Sequence, residues 1–328
     1  MIALSIWRLP ASVLSALILT ALASAASAQA PYPTRNITLV LPFAAGSGTD
    51  TTTRLIGKEL GVALGVSMVI DNKAGANGSI AASYVARSTP DGYTLFVTTN
   101  TSHSANPFLF KKINYDPVKD FTPVANIMRI PVIVVVDPKL PVKTLPELVA
   151  YAKANPGQVS FGYGNSIGQV VGASFAKRTG LDVITVPYKS TPQAITDVVS
   201  GQVSYAVSDM ASGQSFVNSG RVRALAVSSK KRSALMPDLP AMSETPGLDG
   251  FEVIAWVAMF APAKTPKDIV DKLNAIVRKA LDKPEVKEKI ASFAAEPAPS
   301  SPEELGEFVK DQLASWGKSI KEAGIQPE

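Results

Sequence analysis

The chain contains no cysteine and a single histidine, His103, in 328 residues. Without cysteine it forms no disulfide and no thiolate metal site, and it has no cysteine to carry a lipid anchor. One histidine without cysteine does not supply the ligands of a zinc cluster, and no segment has the acidic spacing of an EF-hand calcium loop. The sequence therefore predicts neither a metal nor any other cofactor.

The chain also lacks a strong excess of charge of one sign. Its formal net charge is +5, from 32 basic and 27 acidic residues, and the basic residues are scattered along the chain. No basic tract is interleaved with aromatic residues, which is the pattern typical of nucleic-acid-binding surfaces. We therefore expect no nucleic-acid partner.

One apolar run, over residues 9–22, lies near the amino terminus, with Arg8 before it. Ala26-Ser27-Ala28 and Ala28-Gln29-Ala30 follow, and both have the A-x-A form of a signal-peptide cleavage site. The run is short for a transmembrane anchor, which needs about 20 apolar residues. We expect residues 1–30 to be a cleaved signal peptide, ending at Ala28 or Ala30, and the mature protein to be periplasmic.

The remaining sequence predicts two α/β lobes. Short apolar runs alternate with helical patterns from residue 33, and a second series of the same kind runs from about Arg129 to Gly250. Three helices, each beginning near a proline, close the chain. We predict a clamshell in which each lobe is a mostly parallel sheet flanked by helices. The predicted boundaries are 31–128 and 254–328 for lobe 1, and 129–253 for an inserted lobe 2.

Loops of small residues follow a predicted strand in each lobe. PFAAGSGTD, residues 42–50, precedes a helix that is predicted from Thr51, and GNSIG, residues 164–168, precedes one that is predicted from Gly168. Ligands of α/β lobes collect at the carboxyl ends of the strands, where helix N-termini present free N–H groups to an anion. These loops therefore predict an anion-binding crevice between the lobes.

GNSIG also fits G-x-S-x-G, the nucleophile elbow of α/β-hydrolases. A nucleophilic serine needs a base, and the one histidine, His103, precedes Ser166 in the chain, whereas in those hydrolases it follows the serine. We expect His103 to be a polar loop residue and Ser166 to donate to a bound anion, with a serine hydrolase as the alternative. Asp209 follows another predicted strand, where it either holds a ligand ammonium group or, with Ser208, caps the next helix.

Several segments occur in a characteristic order, namely PFAAGSGTD, DNKAGANGSIAA, STPDGYTLFVTTN, YDPVKDFTPVA, VPYKSTPQAITDVVSGQV, GRVRALAVSSKKRSALMPDLPAMSE and WGKSIKEAGI. Taken together, they resemble the Bug-type extracytoplasmic solute-binding proteins of tripartite tricarboxylate transporters. The resemblance covers essentially the whole mature chain. It implies a type II periplasmic-binding-protein clamshell without catalytic activity or cofactor, which captures a small carboxylate and delivers it to membrane permease subunits. We expect the receptor to be a monomer.

The resemblance also implies which loops contact the ligand. From lobe 1 the expected contacts are Phe43, Ala44, Ala45, Gly46, Ser47, Gly48, Asp50, Thr99 and Asn100. From lobe 2 they are Tyr163, Gly164, Asn165, Ser166, Gly168, Gln169, Lys189, Ser190, Thr191, Ser208 and Asp209. This sequence departs from the family pattern at Ala45, Ser47 and Gln169, where relatives commonly have proline or glycine in the first loop and histidine in the second.

These departures fall in the expected pocket and leave the ligand open. Lys189 is the main basic side chain among the expected contacts, so we predict a mono- or dicarboxylate, aromatic acids included, rather than a highly charged tricarboxylate. Delivery to a transporter is the expected role. A ligand-sensing protein for a signalling receptor uses the same clamshell, and the sequence does not separate the two.

Overall fold

The computed structural model describes residues 32–43, 45, 47–188 and 190–327. The predicted signal peptide lies outside these residues, and so do the three expected ligand contacts Ala44, Gly46 and Lys189. Among the described residues, no helix is both long enough and apolar enough to cross a membrane.

The strands of the described residues form two sheets and are numbered in chain order. The first sheet contains β1 (Ile37–Leu41), β2 (Met68–Asn72), β3 (Thr94–Thr99), β4 (Phe121–Ile130), β10 (Ala255–Pro262) and β11 (Glu296–Pro297). The second contains β5 (Val132–Val136), β6 (Ser160–Tyr163), β7 (Ile184–Pro187), β8 (Tyr205–Asp209) and β9 (Arg223–Val227). The spatial orders are β11-β4-β10-β3-β1-β2 and β7-β6-β8-β5-β9.

Helices flank both sheets, as predicted. Along the described chain they are α1 (Gly48–Leu64), α2 (Ser79–Ala86), α3 (Asn106–Leu109), α4 (Leu145–Ala154), α5 (Ser166–Thr179), α6 (Thr191–Val199), α7 (Met210–Asn218), α8 (Lys267–Leu281), α9 (Pro284–Ala291) and α10 (Pro302–Glu322). A short 3₁₀ turn, Ala76–Gly78, precedes α2, and a π-helical turn, Thr101–Ala105, precedes α3. The three closing helices are thus confirmed.

Both sheets are mixed rather than mostly parallel, which corrects the prediction. In the first sheet β1 is parallel to β2 and β3, but β10 is antiparallel to β3 and β4. In the second, β6 is parallel to β7 and β8, but β5 is antiparallel to β8 and β9. Strand β5 begins where the chain passes from the first sheet to the second, and β10 begins where it passes back. Both strands therefore start at the junction and are antiparallel to neighbours that end there.

Two strand predictions need correction. Strand β4 is absent from the sequence prediction because Pro123 and Asn126 interrupt its apolar pattern. The predicted strand over residues 251–262 begins only at Ala255, since residues 251–254 make the crossing between the two sheets. These corrections leave the predicted succession of strand-end loops unchanged.

The C-terminal helix α10 packs against both sheets. Leu305 and Val309, in its first half, belong to a buried cluster with side chains of β1, β3 and β10. Trp316 and Ile320, in its second half, belong to a buried cluster with side chains of β5, β6 and β8. Helix α10 therefore contributes to the hydrophobic cores on both sides of the junction.

Polar contacts fix α10 to α5. Ser174 Oγ donates to the Ser319 carbonyl at 2.9 Å, and Arg178 Nε donates to Glu322 Oε2 at 2.9 Å. The side chains of this ion pair are 16% and 27% exposed, so water screens their attraction less than that of a surface pair. Helices α5 and α10 are thus joined by packing, a hydrogen bond and a partly buried ion pair.

Candidate functional site

A cleft of about 570 Å³ lies where strand-end loops of the two sheets face each other. Loops after β1, β2 and β3 line it from the first sheet, and the loop after β6 lines it from the second. The lining residues are Pro42, Phe43, Thr49, Gly75, Ala76, Asn77, Gly78, Thr99, Asn100, Thr101, Ala105, Asn106, Leu109, Asn165, Ser166, Ile167, Ala255 and Trp316.

The described lining of this cleft contains no charged side chain. Hydroxyl and amide side chains such as Thr49, Thr101 and Asn165 lie beside apolar ones such as Leu109 and Trp316. No group of three or more His, Asp or Glu side chains in the described part of the chain is placed to hold a metal ion. The cleft therefore combines neutral hydrogen-bonding groups with an apolar surface.

Helix α1 begins at the cleft. Ser47 is its N-cap, with Oγ accepting the Asp50 N–H at 3.1 Å, and Thr49 in its first turn lines the cleft. The first N–H groups of a helix have no partner within the helix and carry partial positive charge. The start of α1 can therefore hold an anion without a basic side chain.

Asp50, an expected ligand contact, is buried beneath this loop and does not line the cleft. Its carboxylate accepts from Arg54 Nε at 2.9 Å and from Asn72 Nδ2 at 3.0 Å. Asn72 Nδ2 also lies 3.0 Å from the Phe43 carbonyl, to which it donates. Asp50 thus helps to hold the β1 loop against the end of β2.

The loop after β2 forms another wall of the cleft, and none of its residues is an expected ligand contact. Ala76 and Asn77 have φ angles of 45° and 48°, a left-handed conformation that costs a non-glycine residue about 1 kcal/mol. Asn106 Nδ2 donates to the Asn77 carbonyl at 2.9 Å and stabilises this conformation. The loop leads into α2, so a second helix of the first sheet also begins at the cleft.

The segment after β3 supplies two of the expected contacts. Thr99 and Asn100 both line the cleft, just before the π-helical turn Thr101–Ala105. Thr99 Oγ1 accepts the Thr101 N–H at 3.2 Å, and Asn100 Oδ1 accepts the Trp256 N–H at 3.4 Å. Turns of π-helix are frequent at functional sites because they reorient side chains locally.

His103 lies in this π-helical turn and is not the polar loop residue that the sequence predicts. Its ring is fully buried, with ring centroids of Phe260 and Phe121 at 4.2 and 4.8 Å. Ser102 Oγ lies 3.0 Å from its Nδ1. Burial lowers the pKa of His103 to about 3, so the neutral imidazole packs as an aromatic ring. Because His103 does not line the cleft, it is not placed to take a proton from Ser166.

Asn165 joins three strand-end segments of the second sheet. Its Oδ1 accepts the Gly168 N–H at 2.9 Å and caps α5. Its Nδ2 donates to Thr191 Oγ1 and to Asp209 Oδ2, each at 3.2 Å. The Gly168 N–H is therefore used within the protein, whereas Ser166, the first residue of α5, lines the cleft.

Gly164 allows the loop after β6 to meet the start of α6. A Cβ atom at Gly164 would lie 2.0 Å from both the Ser190 carbonyl carbon and the Thr191 nitrogen. Those are backbone atoms, so no side-chain rotation could relieve the overlap. The close approach at Gly164 lets Asn165 reach Thr191 and sets the position of Ser166.

Asp209 caps a helix, one of the two alternatives that the sequence leaves open. Its Oδ1 accepts the Ser212 N–H at 2.8 Å at the start of α7. Ser208 is buried, and its hydroxyl donates to the Asp209 carbonyl at 2.7 Å. The Asp209 side chain therefore supports the loop around Asn165, and the Ser208 side chain bonds, among the described residues, only to the backbone of Asp209.

The expected ligand contacts divide into two groups in the described residues. Those that line the cleft are Phe43, Thr99, Asn100, Asn165 and Ser166. Those outside the lining are Ala45, Ser47, Gly48, Asp50, Tyr163, Gly164, Gly168, Gln169, Ser190, Thr191, Ser208 and Asp209. Several members of the second group, among them Ser47 and Asp209, hold the lining residues in place.

Other lining residues are absent from the sequence prediction. The loop at 75–78 could have been found, because it follows a strand of the first sheet and contains two glycines. Ala255 and Trp316 could not have been found in this way, because they reach the cleft from the start of β10 and from helix α10. No local pattern in the sequence marks either of them.

The chain thus has two lobes, each a β-sheet flanked by helices. Crossing segments join the lobes, and the lobes face each other across a cleft. This arrangement defines the clamshell class of periplasmic binding proteins. The sequence profile of the tripartite tricarboxylate transporter family receptor matches residues 52–325. The chain belongs to this receptor family. Among its relatives, the protein BugT of Bordetella pertussis is 32% identical over 319 residues, which cover 96% of this chain and 97% of BugT.

Solved structures show the same fold. Rpa4515 of R. palustris with adipate is 36% identical, with a TM-score of 0.73 over 90% of this chain and 100% of that one. The periplasmic binding protein BugD is 33% identical, with a TM-score of 0.69, and the match covers 90% of this chain and 100% of BugD. MatC (Rpa3494) from Rhodopseudomonas palustris with bound malate is 34% identical, with a TM-score of 0.69, and the match covers 88% of this chain and 100% of MatC. The predicted Bug-type receptor and its two-lobed fold are confirmed.

Proposed function

We propose that this chain is a periplasmic receptor that binds a mono- or dicarboxylate with a hydrocarbon body and delivers it to the membrane permease of a tripartite tricarboxylate transporter. The observation that carries the proposal is a cleft without charged side chains in its described lining, at which α1 and α2 of the first sheet and α5 of the second begin. Helix N-termini bind carboxylates through their free N–H groups.

The composition of the cleft supports the choice of ligand class. A highly charged tricarboxylate would be held best by basic side chains, and none lies in the described lining. The apolar residues Phe43, Leu109, Ile167 and Trp316 offer a surface for a hydrocarbon chain or ring. The similar proteins Rpa4515 and MatC, with adipate and malate, fit this class.

Ligand binding is coupled to closure of the lobes. Among the described residues, no hydrogen bond joins the cleft loops of the first sheet to those of the second. A carboxylate that contacts α1 and α5 together makes its full set of bonds only in a closed form, so it shifts the population toward closure. The permease then distinguishes the loaded receptor by its shape.

We expect the mature protein, residues 31–328, to be stabilised by one class of carboxylate in a thermal-shift screen. The panel contains aliphatic mono-, di- and tricarboxylates, aromatic acids and acidic amino acids. A ligand at one hundred times its Kd adds about 2.7 kcal/mol to the free energy of unfolding, which raises the melting midpoint clearly. Citrate binding far more tightly than every mono- and dicarboxylate would contradict the proposed ligand class.

We expect Ser166→Asp to weaken carboxylate binding about tenfold or more, because it places a negative charge in the cleft. An acidic residue in the first turn of α5 is favourable for the helix, so the free energy of unfolding should stay the same or rise by about 0.5 kcal/mol. Titration calorimetry with the best carboxylate of the screen measures the first effect, and urea unfolding measures the second.

Ser166→Asn is the matched control, because it has the size of aspartate without the charge. It should bind at least several-fold more tightly than Ser166→Asp. Ser166→Ala tests the hydrolase alternative, since it removes the hydroxyl that would act as nucleophile. Ester hydrolysis by the wild-type protein that is lost in Ser166→Ala would contradict a receptor without catalysis.

A further inference from the structure

Glu296, in the edge strand β11 of the first sheet, is hydrogen-bonded to the second lobe. Its Oε1 accepts the Ala234 N–H at 2.8 Å and also accepts from the Ser233 hydroxyl. Both donors lie in the loop after β9, and Arg232 ties that loop to the second lobe by donating to both carboxylate oxygens of Glu244, at 2.9 and 2.7 Å. Strand β11 pairs with β4, so the bonds of Glu296 connect two separate bodies.

The turn before β11 also packs against the second lobe. Ala294 is 2% exposed and belongs to a buried cluster with side chains of β5, α6 and β8, and the other buried members of that cluster lie within residues 133–241. The φ angle of Ala294 is 52°, a left-handed conformation that is unfavourable for a residue with a side chain and that is retained where packing fixes it. We call the contacts of Ala294 and Glu296 with the second lobe the clasp.

The clasp and the cleft lie on opposite sides of the crossing strands. In the first sheet β11 is at one edge, and β1, β2 and β3, whose loops line the cleft, are beyond β4 and β10. In the second sheet β5 and β8 separate β9, which precedes the clasp loop, from β6, which precedes the cleft loop. A hinge at the crossing segments that brings the cleft loops together therefore moves Glu296 away from Ser233 and Ala234.

We propose that the clasp holds the receptor open and that Glu296 thereby sets its affinity for the ligand. This rests on the proposed function, in which closure of the lobes completes the contacts of the bound carboxylate. Closure breaks the hydrogen bonds of Glu296, so the clasp lowers the population of the closed form. The apparent affinity falls by the same factor. A receptor that reopens readily releases its ligand to the permease, so the clasp favours delivery over retention.

Glu296→Ala should bind adipate about tenfold more tightly than the wild type, because closure then no longer costs a hydrogen bond to a charged group. Ser233→Ala removes one of the two donors from the other lobe and should bind adipate about threefold more tightly. Glu296→Gln keeps an uncharged acceptor, so its affinity should lie between those of the wild type and Glu296→Ala. Titration calorimetry measures the three affinities, and urea unfolding verifies that each variant is folded.

Glu252→Ala is the matched control. Glu252 and Glu296 line one cavity of about 420 Å³ at the junction, but the Glu252 side chain has no hydrogen bond or ion pair among the described residues. The control removes one negative charge from nearly the same place, so it reproduces any general gain in attraction for an anion without touching the clasp. Its affinity for adipate should stay within about twofold of the wild type.

The position of the lobes can be measured without any ligand. The chain has no cysteine, so two introduced cysteines are the only sites for spin labels. Val69→Cys and Ile184→Cys place them on β2 and β7, the outermost strands on the cleft side of each sheet, at side chains that are 46% and 52% exposed. In the otherwise wild-type protein, saturating adipate should shorten the distance between the labels. Adding Glu296→Ala should populate the shorter distance without adipate, and adding Glu252→Ala should not.

The outcomes separate the clasp from the proposed function. If Glu252→Ala raises the affinity for adipate as much as Glu296→Ala does, the gain is a general charge effect, and the clasp is wrong while the receptor function stands. If Glu296→Ala changes neither the affinity nor the label distance, the clasp is also wrong. If no carboxylate of the screen binds the wild-type protein, the proposed function fails, and the label distance in ligand-free Glu296→Ala still decides whether the clasp holds the lobes open.

Discussion

Replacing Gly164 with alanine is expected to lower the free energy of unfolding by about 3 kcal/mol and to reduce carboxylate affinity more than tenfold. The new Cβ would lie 2.0 Å from the backbone at Ser190 and Thr191, so the loop after β6 and the start of α6 would have to separate. That movement breaks the bond from Asn165 to Thr191 and displaces Ser166 from the cleft. Urea unfolding and titration calorimetry with the best carboxylate of the screen measure the two effects.

Gly306→Ala makes the same chemical change at a position with room. A Cβ there would meet only Pro123 Cγ, at an ordinary 3.6 Å, and Gly306 lies inside helix α10. Alanine is the better helix former by up to about 1 kcal/mol, so this control should unfold at the same or a slightly higher urea concentration. Equal effects of the two substitutions would show that the close approach at Gly164 is not required.

Lowering the pH from 6.5 to 5 is expected to cost about 2 kcal/mol of stability through His103 alone. Burial lowers the pKa of His103 to about 3 in the folded protein, whereas its ordinary value is 6.5. Between these two values the unfolded chain binds a proton at His103 and the folded chain does not, so acid favours unfolding. The contribution of His103 is complete above pH 6.5 and declines by about 1.4 kcal/mol per pH unit below it.

Comparison with His103→Phe isolates this effect, because phenylalanine has no proton to gain and all other titrating groups are shared. The ring should fit the aromatic cluster of Phe121 and Phe260, although its absolute stability will differ from that of the wild type. The slope of the unfolding free energy against pH, from urea unfolding between pH 5 and 6.5, is therefore the quantity to compare. Identical slopes would mean that water reaches His103 in the folded protein.

Much of the candidate site could be predicted because helix starts and strand ends depend on residues near one another in sequence. The loops at 42–50 and 164–168 follow predicted strands and precede helices, and both supply residues to the cleft. The N-caps Ser47, Asn165 and Asp209 are of the residue types that favour such positions. These local patterns do not distinguish a side chain that contacts the ligand from a side chain that supports the loop.

Asp50 illustrates that limit. It stands in a loop of small residues, as a ligand contact would, but Arg54 and Asn72 surround its carboxylate. Arg54 lies one helical turn away and was visible in the sequence, whereas Asn72 comes from the neighbouring strand β2 and was not. The same error is to be expected elsewhere. A buried carboxylate needs hydrogen-bonding partners, so a structural carboxylate in a loop is easily taken for a ligand contact.

The remaining errors involve contacts between distant parts of the chain. The serines and the asparagine near His103 in sequence predict a polar loop, but Phe121 and Phe260 bury its ring. The antiparallel direction of β10 follows from the path between the sheets, which no local pattern reveals. Trp316 reaches the cleft from helix α10, 151 residues after Asn165, which reaches it from the loop after β6.

The position of α10 has a consequence for how the chain folds as it is made. Leu305 and Val309 complete one core and Trp316 and Ile320 complete the other, yet all four are synthesised after every strand of the two sheets. Both cores therefore stay incomplete until α10 is synthesised, although most of the chain has emerged by then. We therefore expect the two lobes to reach their native packing together once α10 has emerged, rather than one after the other as independent domains commonly do.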